Sequence, residues 1–543
     1  MRDGFKEEAA PIARSRLGHR LQKRQGQEAR QMPHDRDDQQ PHDRPNRSDR
    51  RRKSSNRSKR SVGVRLSACL PKRRFIACDD VLATGCYDDP RRCGPGDVFV
   101  ARLDGDRDGH EFVSEAVARG CSGVVSERHV PTFGAPLCLV PDTAAAYTRI
   151  VHSLAGNPAQ ALNLIAITGT SGKTTTAWLA AAVLAEGGHS VGVLSDLGCL
   201  DADSLEAERP TDLADPHEMV RWLKRLISSG CSHAVLEVSS QMLAHQALVG
   251  IACDTVAITN LASAHLDIHG SKEAYHAVKQ RILASLPTSG CLVGNADDPA
   301  VHAAAASHAG RQLLAGLRTS ADITASPVER SLAGQTFLVR NGREMMPVAV
   351  STPVASYARN ALLAASIGMA HGIPLASIAR GLEAVGSVAG RLERLDRGQD
   401  FACFVDQPTS GHQLASTLAS LRHLTGHGRL VATVDIDVAD TLEGSVRRQR
   451  FSSRLLRWCD DCILIPKRLS RQATDDSTRF LAGFDRALSQ LQRGDCLVVL
   501  GNPSWGSDPI DPSGERMSAQ MLVEGWFRVA CPPEWTADWR RAA

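Results

Sequence analysis

Between Ile165 and Gly188 the chain reads IAITGTSGKTTTAWLAAAVLAEGG. Gly169 and Gly172 bracket Thr170 and Ser171 and lead directly into Lys173-Thr174-Thr175. Glycines at these places let a loop turn its N–H groups inward onto phosphate oxygens. The lysine then reaches the outer phosphates, and Thr174 offers a hydroxyl to Mg²⁺. The context agrees, because an apolar run precedes the loop and a strong helix former follows it. The usual eight-residue pattern places a glycine where Ile167 stands, so the loop is a shortened variant. Gly169, Thr170, Ser171, Gly172, Lys173, Thr174 and Thr175 are therefore candidate nucleotide-binding residues.

A nucleotide loop of this kind also needs oxygen ligands for the cation. VLEVSSQ ends an apolar strand on Glu237, and AITNLASAHLDIHG ends another on Asn260, with His265 shortly after. Open α/β sheets bind ligands at the carboxyl ends of their strands, so both ends should lie beside the loop. A lone Glu or His is more often a solvated residue or a cap, and neither would stand by itself.

These residues need a scaffold, and 543 residues are too many for one core. Three or four domains are expected. With 42% hydrophobic and 23% charged residues the chain is globular in composition. No apolar run approaches the roughly 20 residues of a membrane helix. The first twenty residues lack the apolar centre of a secretory signal, so a cytoplasmic location is expected. The 15 cysteines are scattered. Cys459 and Cys462 form a single C-x-x-C at the start of an apolar run, which points to reduced, structural thiols rather than a zinc site. Residues 1–60 hold 18 Lys+Arg and 9 Asp+Glu, while the whole chain carries +4, so the remainder is net negative at −5. This basic tail has almost no large apolar residues. It should be a solvated, disordered extension or a stretch upstream of the true start, and a nucleic-acid partner is not expected.

From residue 66 onward β-like and helical runs alternate. DVFVA, GVVS and LCLVP mark a small α/β domain over 66–158. SVGVLS, HAVLEVS, TVAITN and GCLVGNAD, with helices such as PHEMVRWLKRLISSG between them, mark a doubly wound parallel sheet over 159–350. GQTFLVRNGREMMPVAVST closes that stretch as a hairpin turning at Asn341-Gly342. FACFVD, GRLVATVDI, CILIP and GDCLVVLG give a Rossmann-like α/β domain over 351–528, with 529–543 as a tail. The fold class is thus α/β, three domains around a central phosphate-loop sheet.

GTSGKTTT, LEVSSQ, TNLASAHLDIHGSKEAYHAVK, GNADDP and GRLERL stand in the order and spacing of the Mur ligase family, which the chain resembles. PGDVFVARLDGDRDGHEFVSEAVARG, residues 95–120, resembles that family's UDP-sugar-binding first domain. The resemblance covers roughly residues 66–525 and is strong through about 395. It is closest to the members that add a third residue, commonly diaminopimelate or lysine, to the peptidoglycan precursor UDP-N-acetylmuramoyl-L-alanyl-D-glutamate. It implies a three-domain Mur ligase architecture, ATP and Mg²⁺ as cofactors, a UDP-linked muramoyl peptide and a free amino acid as partners, and a monomer. Carried over by position, it implies that Thr174, Glu237, His265 and Lys279 hold metal, Lys279 as a carbamate. Lys173, Lys279 and His265 become the catalytic residues. Asn295 would contact adenine, Arg391 the nucleotide near the hinge before the last domain, and Asp406 the ribose. Arg91, His110, Ser239 and Arg471 would contact the other substrates.

Departures from the family concentrate on substrate recognition. D-Y-A-H-x-P is DQPTSG here, with Thr409 at the histidine. D-N-P-R falls on RLSR, which keeps only Arg471, and G-K-G-H-E falls on GNPSW. A substrate arginine falls on Ala247, a threonine pair on Asp212 and Leu213, and D-S-R on DPR with Pro90 at the serine. The acidic residue before His265 is Ala264. The resemblance therefore leaves two readings: an ATP-dependent amide ligase, or a relative that binds ATP but has lost or changed that activity.

Overall fold

The computed structural model describes residues 63–105, 107–201, 212–261, 271–443, 448–465 and 475–501. The basic N-terminal stretch, His265 and Arg471 lie outside them. Three α/β units follow one another along the chain. In the first, a five-stranded sheet runs in the order Arg74–Ile76, Leu137–Leu139, Gly123–Ser126, Asp97–Val100, Gly85–Tyr87, and only the Arg74–Ile76 edge is antiparallel. The expected runs DVFVA, GVVS and LCLVP are three of these strands. The unit docks on the next through His217, whose Nε2 lies 2.9 Å from the Cys86 carbonyl and whose ring stacks on Tyr87 at 5.5 Å.

The central unit is a ten-stranded sheet. Its parallel part runs Val191–Ser195, His233–Glu237, Asn163–Thr168, Thr255–Ile258, Cys291–Asn295, Arg311–Gly316, Ile323–Ser331. The middle strands are apolar through their centres because both faces are covered, and Leu164 to Ile167 are 0% exposed. The expected hairpin is formed by Gly334–Asn341 and Glu344–Val350, with Gly342 at φ 59° in the turn. Asn163–Thr168 sits in the middle of the sheet, with chain crossovers to either side, so its carboxyl end opens at a topological switch point.

The helix Lys173–Glu186 leaves that strand end, and every residue from Thr174 to Leu184 is buried. Helices Ala355–Ala370 and Leu375–Ala384, which the sequence grouped with the last domain, share one apolar cluster with it, through Leu362, Leu363 and Ile378. The last unit has five strands in the order Glu393–Arg394, Ala402–Asp406, Cys496–Leu500, Leu430–Asp435, Asp461–Ile465, parallel except at the first. Cys459 and Cys462 are free thiols here, pushed up by burial to about 12 and about 11. Among the described residues no helix is long and apolar enough to cross a membrane.

Candidate functional site

Strand Asn163–Thr168 ends one residue before Gly169, and Ile167 is still in the ladder opposite Glu237 and Ala257. The loop is therefore only Gly169 to Gly172, which accounts for the missing first glycine. Gly169 has φ 149° and Gly172 φ 80°, values a side chain would oppose. A Cβ on Gly169 would strike Thr259, and one on Gly172 would strike Asn360. Helix Lys173–Glu186 starts on Gly172 with no side-chain cap, so its first N–H groups face the cleft without an internal acceptor. Asn260 clamps the loop: its Nδ2 donates to the Ser171 carbonyl (2.9 Å), and its Oδ1 accepts from Ser171 N (3.1 Å). Thr259 Oγ1 adds a bond to the same carbonyl at 2.6 Å.

Parallel pairing brings the Glu237 strand end beside the loop. Thr174 donates its hydroxyl to Glu237 Oε1 at 3.0 Å, Lys173 Nζ stands 3.9 Å from the same oxygen, and Asp196 N–H donates to Oε2 at 3.1 Å. Burial, and then the Asp196 carboxylate, push the Glu237 carboxyl up, against the opposing pull of Lys173 and Arg391. Arg391 reaches in from the linker before the last domain. Its Nη2 donates to Thr174 Oγ1 at 3.3 Å and its Nη1 to the Gln407 carbonyl at 3.0 Å.

Lys279 is 2% exposed beneath the loop, where Nζ donates to the Gly169 carbonyl at 3.1 Å. Burial, with Lys173 second, pulls it down to about 7. A good part of it is then a neutral amine at neutral pH, the form able to take up CO₂. Asn295 is buried, donating from Nδ2 to the Thr259 carbonyl (3.0 Å) and accepting from Asp297 N–H (3.1 Å). It lines a second cavity beside Thr170, Ser171 and Arg359. Asp406, at the end of its strand, accepts from Leu392 N–H at 3.1 Å through Oδ1, while the buried Oδ2 has no partner. Burial raises its carboxyl to about 6.

The loop residues Ser171 to Thr175, Glu237, Arg391 and Asp406 thus line one cleft between the central and last units. The remaining candidates stand apart from it. Ser239 caps helix Ser240–Ala244 by accepting from Met242 N–H at 3.1 Å. Arg91 is exposed and paired with Asp89 at 2.8 Å, and His110 is buried against Asp108 at 2.6 Å in the first unit. Sequence reasoning passed over Asp196, Asn360, Tyr357 and Gln413, which also line the cleft. Asp196 alone carried a signal, the carboxyl end of a parallel strand. Among the described residues no three His, Cys, Asp or Glu could hold a metal by themselves.

Comparison with known proteins gives this geometry its family. The Mur ligase middle domain matches residues 167–368. The UDP-N-acetylmuramoyl-L-alanyl-D-glutamate--2,6-diaminopimelate ligase of Bacillus licheniformis is 30% identical over 367 residues, 66% of this chain and 74% of that one. The protein of the same name from Chlorobaculum tepidum is 32% identical over 381 residues, 67% and 74% of the two chains. A solved structure of a ligase of that name aligns with TM-score 0.64 and 20% identity over 86% of this chain and 99% of that one. The MurF ligase of Thermotoga maritima, in complex with ADP, aligns with TM-score 0.50 and 16% identity over 81% and 98%. On the strength of the sequence relatives, and with the three-domain fold in agreement, the chain belongs to the Mur ligase family.

Proposed function

We propose that this chain is an ATP-dependent ligase that joins an amino acid to UDP-N-acetylmuramoyl-L-alanyl-D-glutamate in peptidoglycan precursor synthesis, as a cytoplasmic monomer. The observation that carries the reading is the convergence of the phosphate loop, Glu237, Arg391 and Asp406 on one cleft between two domains. The γ-phosphoryl group of ATP passes to the substrate carboxylate, giving an acyl phosphate and ADP. The amine of the incoming amino acid then attacks the acyl carbon, phosphate leaves, and the amine loses a proton. Little covalent chemistry falls to the protein, so its work is positioning and charge neutralisation.

Lys173 and the first N–H groups of its helix hold the outer phosphates, with Arg391 meeting them from the last domain. The Thr174 hydroxyl and Glu237 carboxylate, 3.0 Å apart, are a hard oxygen pair that suits Mg²⁺, which takes one or two protein oxygens and completes its shell from phosphates and water. Bound there, Mg²⁺ would neutralise phosphate charge during transfer. Lys279, with His265, stands in this reading as a further group of the metal site, in its carbamate form.

A second reading keeps ATP binding without ordinary ligation. Thr409, at the family's histidine position, turns its N–H and hydroxyl to Gln413 Oε1 at 3.3 and 3.1 Å, so that position offers the cleft no imidazole. An ATP-dependent ligation assay with UDP-N-acetylmuramoyl-L-alanyl-D-glutamate and a panel of amino acids separates the two. Amide product with any of them supports the first reading. ATP binding without product supports the second, and absence of both overturns each.

A further inference from the structure

Arg359 lies in helix Ala355–Ala370, next to Asn360, whose side chain abuts Gly172 of the phosphate loop. Among the described residues its guanidinium has no hydrogen-bond or ion-pair partner, and Nε is buried. Thr352 Oγ1, Tyr357 OH and Asp406 Oδ2 on the cleft walls are buried without partners too, but Arg359 is the cation of this set. Burial pulls the guanidinium down, Asp297 pulls back, and Arg318 adds to the effect of burial. An arginine keeps its proton in a protein, so the charge stays. A half-buried charge without a counterion is costly and calls for one from outside the chain.

The carboxylates nearby are already engaged. Asp297 accepts from the N–H groups of Leu317, Arg318 and Thr319 at 2.9, 3.0 and 2.9 Å. Asp298 accepts from those of Leu261 and Ala300 at 2.8 and 2.9 Å. Both hold backbone in place, and the five donors of Arg359 are left over.

Placement narrows the ligand. Arg359 lines the phosphate-loop cleft and also the second cavity that holds Asn295, and Ser171, Asn260 and Ser356 line both as well. The two spaces therefore meet at Arg359. In the nucleotide-binding reading the outer phosphates lie on Lys173 in the first space, and the base lies beside Asn295 in the second. The sugar and the phosphate that joins it cross the shared wall. A guanidinium only donates, and its fork matches two oxygens of a phosphate.

We propose that Arg359 is the receptor for the α-phosphate of the bound nucleotide. The proposal rests on the nucleotide-binding reading above and adds to it a cation from outside the phosphate loop. A nucleoside monophosphate, which lacks the outer phosphates, should then still bind better than its nucleoside.

Competition calorimetry on the full chain, with ADP as the displaced ligand, measures AMP and adenosine against wild type, Arg359→Met and, as a second variant, Arg359→Gln. Wild type should bind AMP about tenfold or more tighter than adenosine, the effect of one charge-assisted contact. Both variants should lose most of that advantage and bind adenosine as wild type does. AMP no tighter than adenosine in wild type, or an advantage that the variants keep, overturns the α-phosphate contact alone. Adenosine weakened as much as AMP would place Arg359 on the base or sugar and overturns it as well. A wild type that binds no ADP overturns the nucleotide-binding reading itself.

Discussion

Lys173 Nζ has the Glu237 carboxylate at 3.9 Å and the open cleft on its other side, so its charge is available to a phosphate. Lys173→Ala should weaken MgATP binding more than tenfold, as a charge-assisted contact contributes roughly 1.5 to 3 kcal/mol. Unchanged affinity by calorimetry would remove Lys173 from that role. Asp406 makes a prediction of the opposite kind for the unliganded protein. Its folded carboxyl is raised from the ordinary 3.8 to about 6 by burial, so the stability tied to its proton is present below pH 4 and lost as pH rises through 6. Asp406→Asn should therefore stabilise the free protein at pH 8, by on the order of 2 to 3 kcal/mol, while weakening ATP. The gain should fade toward pH 4, where the wild-type carboxyl is protonated too. A melting-temperature difference independent of pH would contradict this account.

Element ends also place groups that take no part in the cleft. At the amino end of the parallel strands, His233 opens its strand, His189 lies in the turn before Val191, and His371 caps helix Ala355–Ala370. The ring centroids of His233 are 4.1 Å from His189 and 5.3 Å from His371. Burial, then the neighbouring imidazoles, lower His233 to about 4, and burial lowers His371 as well. A lowered imidazole contributes stability above its unfolded value of about 6.5 that is lost as pH falls through the folded value. The melting temperature should drop between pH 6.5 and 4, and less steeply in His233→Gln. Equal slopes for the two proteins would show that this cluster does not set acid stability.

At the scale of the molecule, Arg391 ties the phosphate loop to the last domain through Thr174 and the Gln407 carbonyl. Nucleotide bound between the domains should stabilise the fold by about 2.7 kcal/mol at a hundredfold excess over Kd. Arg391→Ala should show a smaller ATP-induced rise in melting temperature at the same nucleotide concentration. A rise equal to that of wild type would mean that the two domains do not meet over the ligand.

The alternation of apolar strands with helices, the phosphate loop and the hairpin at Asn341-Gly342 were all legible in the chain, because periodicity, glycine placement and turn chemistry are local. So was Glu237, since a strand's last residue is a local fact and parallel sheets present such ends together. Asn260 was visible as a strand end, but its clamp on Ser171 spans 89 residues and exists only once two strands pair in register. The buried, partnerless oxygens of Thr352, Tyr357 and Asp406 have no local signature at all. Burial is set by every element packed around a side chain, and here two domains had to close around one cleft before those oxygens lost their water.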